Sequence, residues 1–164
     1  MALMILTIIG PDRPGLVRGL SEALARAGGN WLESRMARLA GQFAGVAMVD
    51  APEGFTDGLA ALEVDGLRIS VTRPDAPHAP VTGPRLQVEV VGNDRPGIVH
   101  QVTQRLAACG ANIEEMTTNV TSGAFSGGSL FRATIIVRGV GDAVAGELEG
   151  LGADMMVDVQ TLDG

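Results

Sequence analysis

Apolar residues along this chain fall into short runs of two kinds, one alternating every second residue and one recurring every third or fourth. Leu3 to Ile9 is apolar almost without interruption, the pattern of a strand buried on both faces, and it stops at Gly10. Leu16, Leu20 and Leu24 then recur every four residues with Val17 beside them, one apolar stripe of a helix that ends at Gly28 and Gly29. Pro14 suits the first turn of that helix, and Asp12 stands where a carboxylate accepts from first-turn amides. Asn30 to Leu39 mixes apolar and polar residues as an edge strand does, Gly41 marks a turn, and Gln42 to Asp50 reads as the next strand. Ala51-Pro52-Glu53-Gly54 breaks it. Phe55, Leu59 and Leu62 fit a short helix, and Leu67, Ile69 and Val71 alternate with Arg68, Ser70 and Thr72 as a final strand. The predicted order is β-α-β-β-α-β.

The same plan returns in the second half. Strands are predicted near Leu86 to Val91, Asn112 to Ser122, Leu130 to Arg138 and Asp154 to Thr161. Helices are predicted near Pro96 to Cys109, with Ile98, Val102, Leu106 and Cys109 as their stripe, and near Asp142 to Leu151, with Val144, Leu148 and Leu151. The repeat is plainest in IIGPDRPGLV, Ile8 to Val17, and VVGNDRPGIV, Val90 to Val99. The register between them holds without a gap to Glu33 and Glu115, pairing Gly28 with Gly110 and Asn30 with Asn112. The chain therefore carries two tandem copies of one unit. With short connections and right-handed crossovers, β-α-β-β-α-β closes as a four-stranded antiparallel sheet with both helices on one face, the ferredoxin-like fold of the α+β class.

Domains are expected at 1–73 and 85–164. Between them, 74–84 lies in the proline-rich run RPDAPHAPVTGP, an extended and fairly stiff linker. His78 reads as a solvated linker residue, since nothing nearby offers a second metal ligand at workable spacing. Ser122 to Gly128, SGAFSGG, superficially resembles a phosphate-cradling loop but has no Lys and joins two strands, so it reads as a hairpin tip.

The halves differ on one face. Leu86, Val88 and Val90 alternate with Arg85, Gln87 and Glu89, so the side away from the helices is polar. The aligned positions in the first half are Leu3, Ile5 and Thr7, and the strand near Phe43 to Val49 is also apolar on both sides, whereas its counterpart carries Arg132, Thr134 and Arg138. A bare apolar sheet face is an association liability. The first half is therefore expected to be covered by a partner, either a second copy of this chain, as a homo-oligomer, or a target protein.

Charge narrows the partners. The formal net charge is −7, with nineteen acidic residues against twelve arginines and no lysine. Direct nucleic-acid binding needs clustered cations to displace counterions, so neither DNA nor an anionic membrane is an expected partner. A lone cysteine, Cys109, excludes an internal disulfide and agrees with a reducing cytoplasm. No apolar run approaches the roughly 20 residues of a membrane span, and the N-terminus has no basic region or cleavage site of a secretory signal. Two histidines and one cysteine are a poor supply for metal sites or nucleophile-base pairs, so no catalysis and no cofactor are expected. His100 aligns with Arg18 and reads as an exposed helix position.

Binding is better supported. A Gly-x-Asp-Arg-Pro-Gly loop at a helix start offers backbone N–H groups backed by a positive dipole, which suits a small carboxylate. Gly10 and Gly92 let that backbone come close to a ligand, and Gly15 and Gly97 keep the helix entry free of side chains. Asn30 and Asn112, at the next strand, offer both an acceptor for an ammonium and a donor for a carboxylate. The same residues also fit a plain turn, with the asparagines tolerating a left-handed conformation after the helix. Repetition does not separate these readings.

At these residues the chain resembles the ACT domain family, small ferredoxin-like regulatory modules that commonly bind amino acids at interfaces between domains. Both halves carry the DRPG segment after the first strand, the helix ending in Gly28 or Gly110, and Asn30 or Asn112 two residues later. As a whole the chain is similar to the tandem-domain glycine cleavage system transcriptional repressor group. The resemblance implies a ligand loop of Gly10, Asp12, Arg13 and Gly15 in the first half and of Gly92, Asn93, Asp94, Arg95 and Gly97 in the second, with Asn30 and Asn112 as second-strand contacts. It also implies repression without a DNA-binding element, through a DNA-binding activator as protein partner and tuned by glycine or a similar amino acid. Pro11 stands where the second half has Asn93 and removes one backbone donor, so the second half is the better candidate for binding. Two other functions remain open on the sequence: a regulatory subunit docking on a metabolic enzyme, and a structural adaptor with empty sites.

Overall fold

A computed structural model describes residues 1–63, 66–74, 81–122, 128–139 and 141–162, apart from the side chains of 60–63. The predicted linker centre with His78 (75–80) and the predicted hairpin tip at 123–127 lie outside these residues. The chain divides into two compact units, 1–78 and 79–164.

The first unit runs β1 (Ala2–Pro11), α1 (Leu16–Arg26), β2 (Asn30–Leu39), β3 (Gln42–Ala51), α2 (Phe55–Glu63) and β4 (Arg68–Thr72). The second runs β5 (Arg85–Asn93), α3 (Ile98–Ala108), β6 (Asn112–Ser122), β7 (Ser129–Arg138), α4 (Gly141–Glu149) and β8 (Met155–Leu162). Each sheet has four antiparallel strands, in the orders β2-β3-β1-β4 and β6-β7-β5-β8. This is the expected fold, with β2 and β6 as edge strands.

Alternation decides what each strand buries. Met4, Leu6 and Ile8 of β1 pack with Ala47 and Val49 of β3, the α1 stripe Leu16, Leu20 and Leu24, and Phe55 and Leu59 of α2. Leu86, Val88 and Val90 do the same with Ile135 and Val137, with Ile98, Val102 and Leu106 of α3, and with Val144 and Leu148 of α4. Cys109 packs half-buried against that second core. At about 25 cal/mol per Å² of apolar area, such clusters supply most of the favourable energy of units this small.

Two expectations change. The strand predicted to be buried on both faces has one face open in the single chain: Leu3 is 44% and Ile9 37% exposed. The helices also begin later than predicted, at Leu16 and Ile98, because Pro14-Gly15 and Pro96-Gly97 form a turn first.

Each edge strand carries a bulge that the sequence did not announce, between Trp31 and Glu33 and between Ile113 and Glu115. The extra residue is Leu32 in one half, 45% exposed, and Glu114 in the other. Glu114 takes Arg85 at 2.9 Å and Arg138 at 2.7 Å, and Arg138 also donates to the Gly83 carbonyl at 3.1 Å. Hydrogen bonding from Arg138, with Arg85 behind it, holds the Glu114 carboxyl below the usual glutamate range.

Candidate functional site

The two loops enter their helices in one conformation. Gly15 has φ 89° and ψ 0°, and Gly97 has φ 85° and ψ 2°, a left-handed region that costs a side-chain-bearing residue about 1–2 kcal/mol. A Cβ at either position would meet nothing within 4 Å. Backbone conformation therefore demands these glycines, and the space before each helix is open.

Neither helix has a side chain bonded to its first-turn amides. This corrects the expected cap: the Asp12 carboxylate turns instead to Arg38, with Oδ2 2.6 Å from Nε. The Asp12 amide is occupied as well, donating to the Gly41 carbonyl at 2.9 Å, as Asp94 donates to Ser129 at 2.8 Å. Both bonds tie the loop to the turn side of the adjacent hairpin. The first intrahelical bonds run from Gly19 to Gly15 at 2.9 Å and from Gln101 to Gly97 at 3.0 Å. Ahead of them, the amides of Val17 and Arg18, and of Val99 and His100, lack intrahelical acceptors and carry the positive end of the dipole. These, not the Asp amides, are the donors a carboxylate can use.

The loops differ in charge. Arg38 neutralises Asp12, but its counterpart on β6 is Val120, opposite Phe131 as Arg38 is opposite Phe43. The Asp94 carboxylate accordingly has no hydrogen bond or ion pair among the described residues. Arg95 folds back on its own unit, bonding Gln101 Oε1 and lying 3.7 Å from Asp154. Arg13 lies in the exposed loop of the first half. Pro11 closes β1 without an N–H, whereas Asn93 closes β5 with one and exposes its side chain.

Gly10 and Gly92 have a different reason from the expected ligand approach. Both are buried. A Cβ on Gly10 would stand 2.8 Å from the Gly66 carbonyl oxygen, and one on Gly92 2.8 Å from Met155 Cγ. The close approach is to the protein's own chain at the start of β4 or β8.

Asn30 and Asn112 are exposed, and each lies far from the loop of its own unit. Gly10 pairs with Phe43, while Asn30 pairs with Asp50 on the same strand; Gly92 pairs with Phe131 and Asn112 with Arg138. At ~3.3 Å per residue the loop and the asparagine are about 23 Å apart along the sheet. Neither unit alone brings the predicted set together. The βαβ connection already implies this, since a helix that returns the chain delivers the second strand to the opposite end of the sheet.

Among the described residues no group of His, Cys, Asp and Glu is placed to hold a metal ion, and no helix is long and apolar enough to cross a membrane.

The sequence profile of the ACT domain family matches residues 2–70 and 84–160. Among solved structures, a protein of unknown function from Galdieria sulphuraria is 29% identical, with 99% of each chain covered and a TM-score of 0.87. A protein provisionally named a glycine cleavage system transcriptional repressor is 19% identical, with 99% of this chain and 98% of that chain covered and a TM-score of 0.69; at that identity the likeness is one of fold. No curated protein matches the chain.

Proposed function

The chain belongs to the ACT domain family through both of its halves, and on that premise we propose a regulatory protein, without catalysis of its own, that senses a small amino acid. The observation that carries this reading is the uncapped helix start behind a left-handed glycine, open to solvent in both halves. The ligand carboxylate takes the first-turn amides, where dipole and N–H groups favour an anion.

The second half is the working site. Asp94 keeps an unneutralised carboxylate for the ligand ammonium, while Asp12 is closed on Arg38, and Asn93 replaces the donorless Pro11. Asn112, about 23 Å away at ~3.3 Å per residue, cannot serve the loop of its own unit. Contact with an asparagine requires one supplied from outside that unit.

Glycine is the expected ligand, and the output is repressor-like control of glycine cleavage in the cytoplasm through a protein partner such as a DNA-binding activator. The name of the fold relative supports that process, and the charge of −7 supports a route without direct DNA contact. The open apolar face of the first sheet, with Leu3, Ile9 and Val46 exposed, is covered by a second copy of the chain.

A thermal-shift screen of the common amino acids tests the reading, since a ligand of the folded state raises the melting temperature by mass action. Glycine should raise it, Asp94→Ala should reduce the shift, and Asp12→Ala should not. No shift with any amino acid would leave a structural adaptor. Co-purification with a metabolic enzyme in place of a transcription factor would make the chain that enzyme's regulatory subunit.

A further inference from the structure

The open face of the second sheet holds a cluster that the loops do not use. Glu89 and Val91 of β5 lie opposite Thr134 and Arg132 of β7, which lie opposite Thr117 and Asn119 of β6. These six residues line a depression of about 90 Å³. Strand alternation turns them away from the helices, and the register of three strands, not one loop, sets their spacing.

Its charges are not spent on each other. Arg18, Arg38, Arg85, Arg105 and Arg138 each hold a carboxylate of this chain. The Arg132 guanidinium has neither a hydrogen bond nor an ion pair among the described residues. Glu89 is its diagonal neighbour across the strands, at the roughly 7–8 Å where long side chains still meet. Glu89 is engaged by Gln87 at 3.0 Å instead. A guanidinium and a carboxylate thus flank one polar hollow, with Thr117, Thr134 and Asn119 supplying hydroxyl and carboxamide groups between them.

We propose that this hollow is a second ligand site, separate from the loops, for a small α-amino acid in its zwitterionic form. Arg132 takes the carboxylate, a planar fork on a planar anion, and Glu89 takes the ammonium. Size sets the class. A single water needs on the order of 10–15 Å³ of such volume, so the hollow seats a handful of non-hydrogen atoms, the size of glycine, alanine or serine. The first sheet has no equivalent, because Thr7, Ile9, Ala44 and Val46 occupy the corresponding positions.

The site is tested by following backbone amides of the intact chain by NMR during titration with glycine, sodium acetate and methylammonium chloride. Glycine alone should give saturable shifts at Thr117, Asn119, Arg132 and Thr134. Arg132→Met should abolish them, while any shifts at residues 93–99 persist, so loss of this site reads differently from loss of the loop site. Glu89→Gln should weaken glycine by about tenfold, the usual cost of one charged hydrogen bond. Shifts that survive Arg132→Met overturn the proposal. So does acetate moving the same amides as strongly as glycine, or a face that glycine leaves unmoved.

Discussion

The two sheets share strand order, register and even the position of the bulge, yet their outer faces are opposites. On the first, Ile5, Val46 and Met48 line a cleft of about 210 Å³ whose charged residues, Glu33 and Arg35, pair with each other at 3.0 Å. On the second, Gln87, Thr134, Ile136, Thr117 and Glu115 occupy the equivalent positions, with Glu89 and Arg132 beside them. Both inner faces build the same kind of core. The fold therefore does not require an apolar outer face, and the one exposed on the first half is an association liability that the second half lacks.

The comparison breaks most sharply at Ile5. Replacing it with Glu puts a charge into the apolar cleft, and the solution mass measured by light scattering should fall to that of one chain. Gln87→Glu, at the aligned position of β5, should change nothing. An unchanged mass for Ile5→Glu would leave the exposed face unexplained by self-association.

Next in size come the buried glycines. Gly10→Ala drives a methyl group to 2.8 Å from a backbone carbonyl oxygen, whereas Gly92→Ala comes that close only to a side-chain atom, Met155 Cγ, with the Asp154 carbonyl oxygen at 3.2 Å. Overpacking costs about 1–3 kcal/mol, with Gly10→Ala at the upper end and Gly92→Ala at the lower. Amide exchange read separately in each half should show the difference. The left-handed glycines sharpen the point from the other side: Gly15→Ala and Gly97→Ala should each cost about 1–2 kcal/mol, equally in both halves, because the strain lies in φ and not in a neighbour.

The smallest effect is on pH. Glu114 has a lowered carboxyl pKa in the folded chain, so its contribution is complete above the ordinary value of 4.5 and is lost as pH falls through the lowered one. Glu114→Gln should flatten the acid side of the second half's stability profile. In the first half Leu32 occupies that bulge, and Leu32→Gln should leave the profile as it was. The Arg18–Glu22 pair on α1 shifts Glu22 in the same direction, but as an exposed helix pair it contributes little.

Periodicity and repetition alone carried the architecture. Alternation along Leu86 to Val91 chose the inner face of the second sheet, the four-residue recurrence of Leu16, Leu20 and Leu24 chose the inner face of α1, and the tandem DRPG segments announced two units. These are signals between near neighbours, written in the chain itself. The contrast between Gln87 and Ile5 was legible for the same reason.

The site depended on partners remote in sequence. Asp12 looks like a helix cap until β2 brings Arg38 beside it, and Gly10 looks like a ligand loop until Gly66 closes over it. Asn30 stands two residues past Gly28 but at the far end of the sheet from the loop it was expected to serve. Glu114 joins Arg85 and Arg138 only because a bulge shifts the register by one. Local patterns choose elements and faces through backbone geometry and burial, which each residue feels with its neighbours. Which charge is spent and which is left over depends on distances across strands, and those exist only once the sheet has closed.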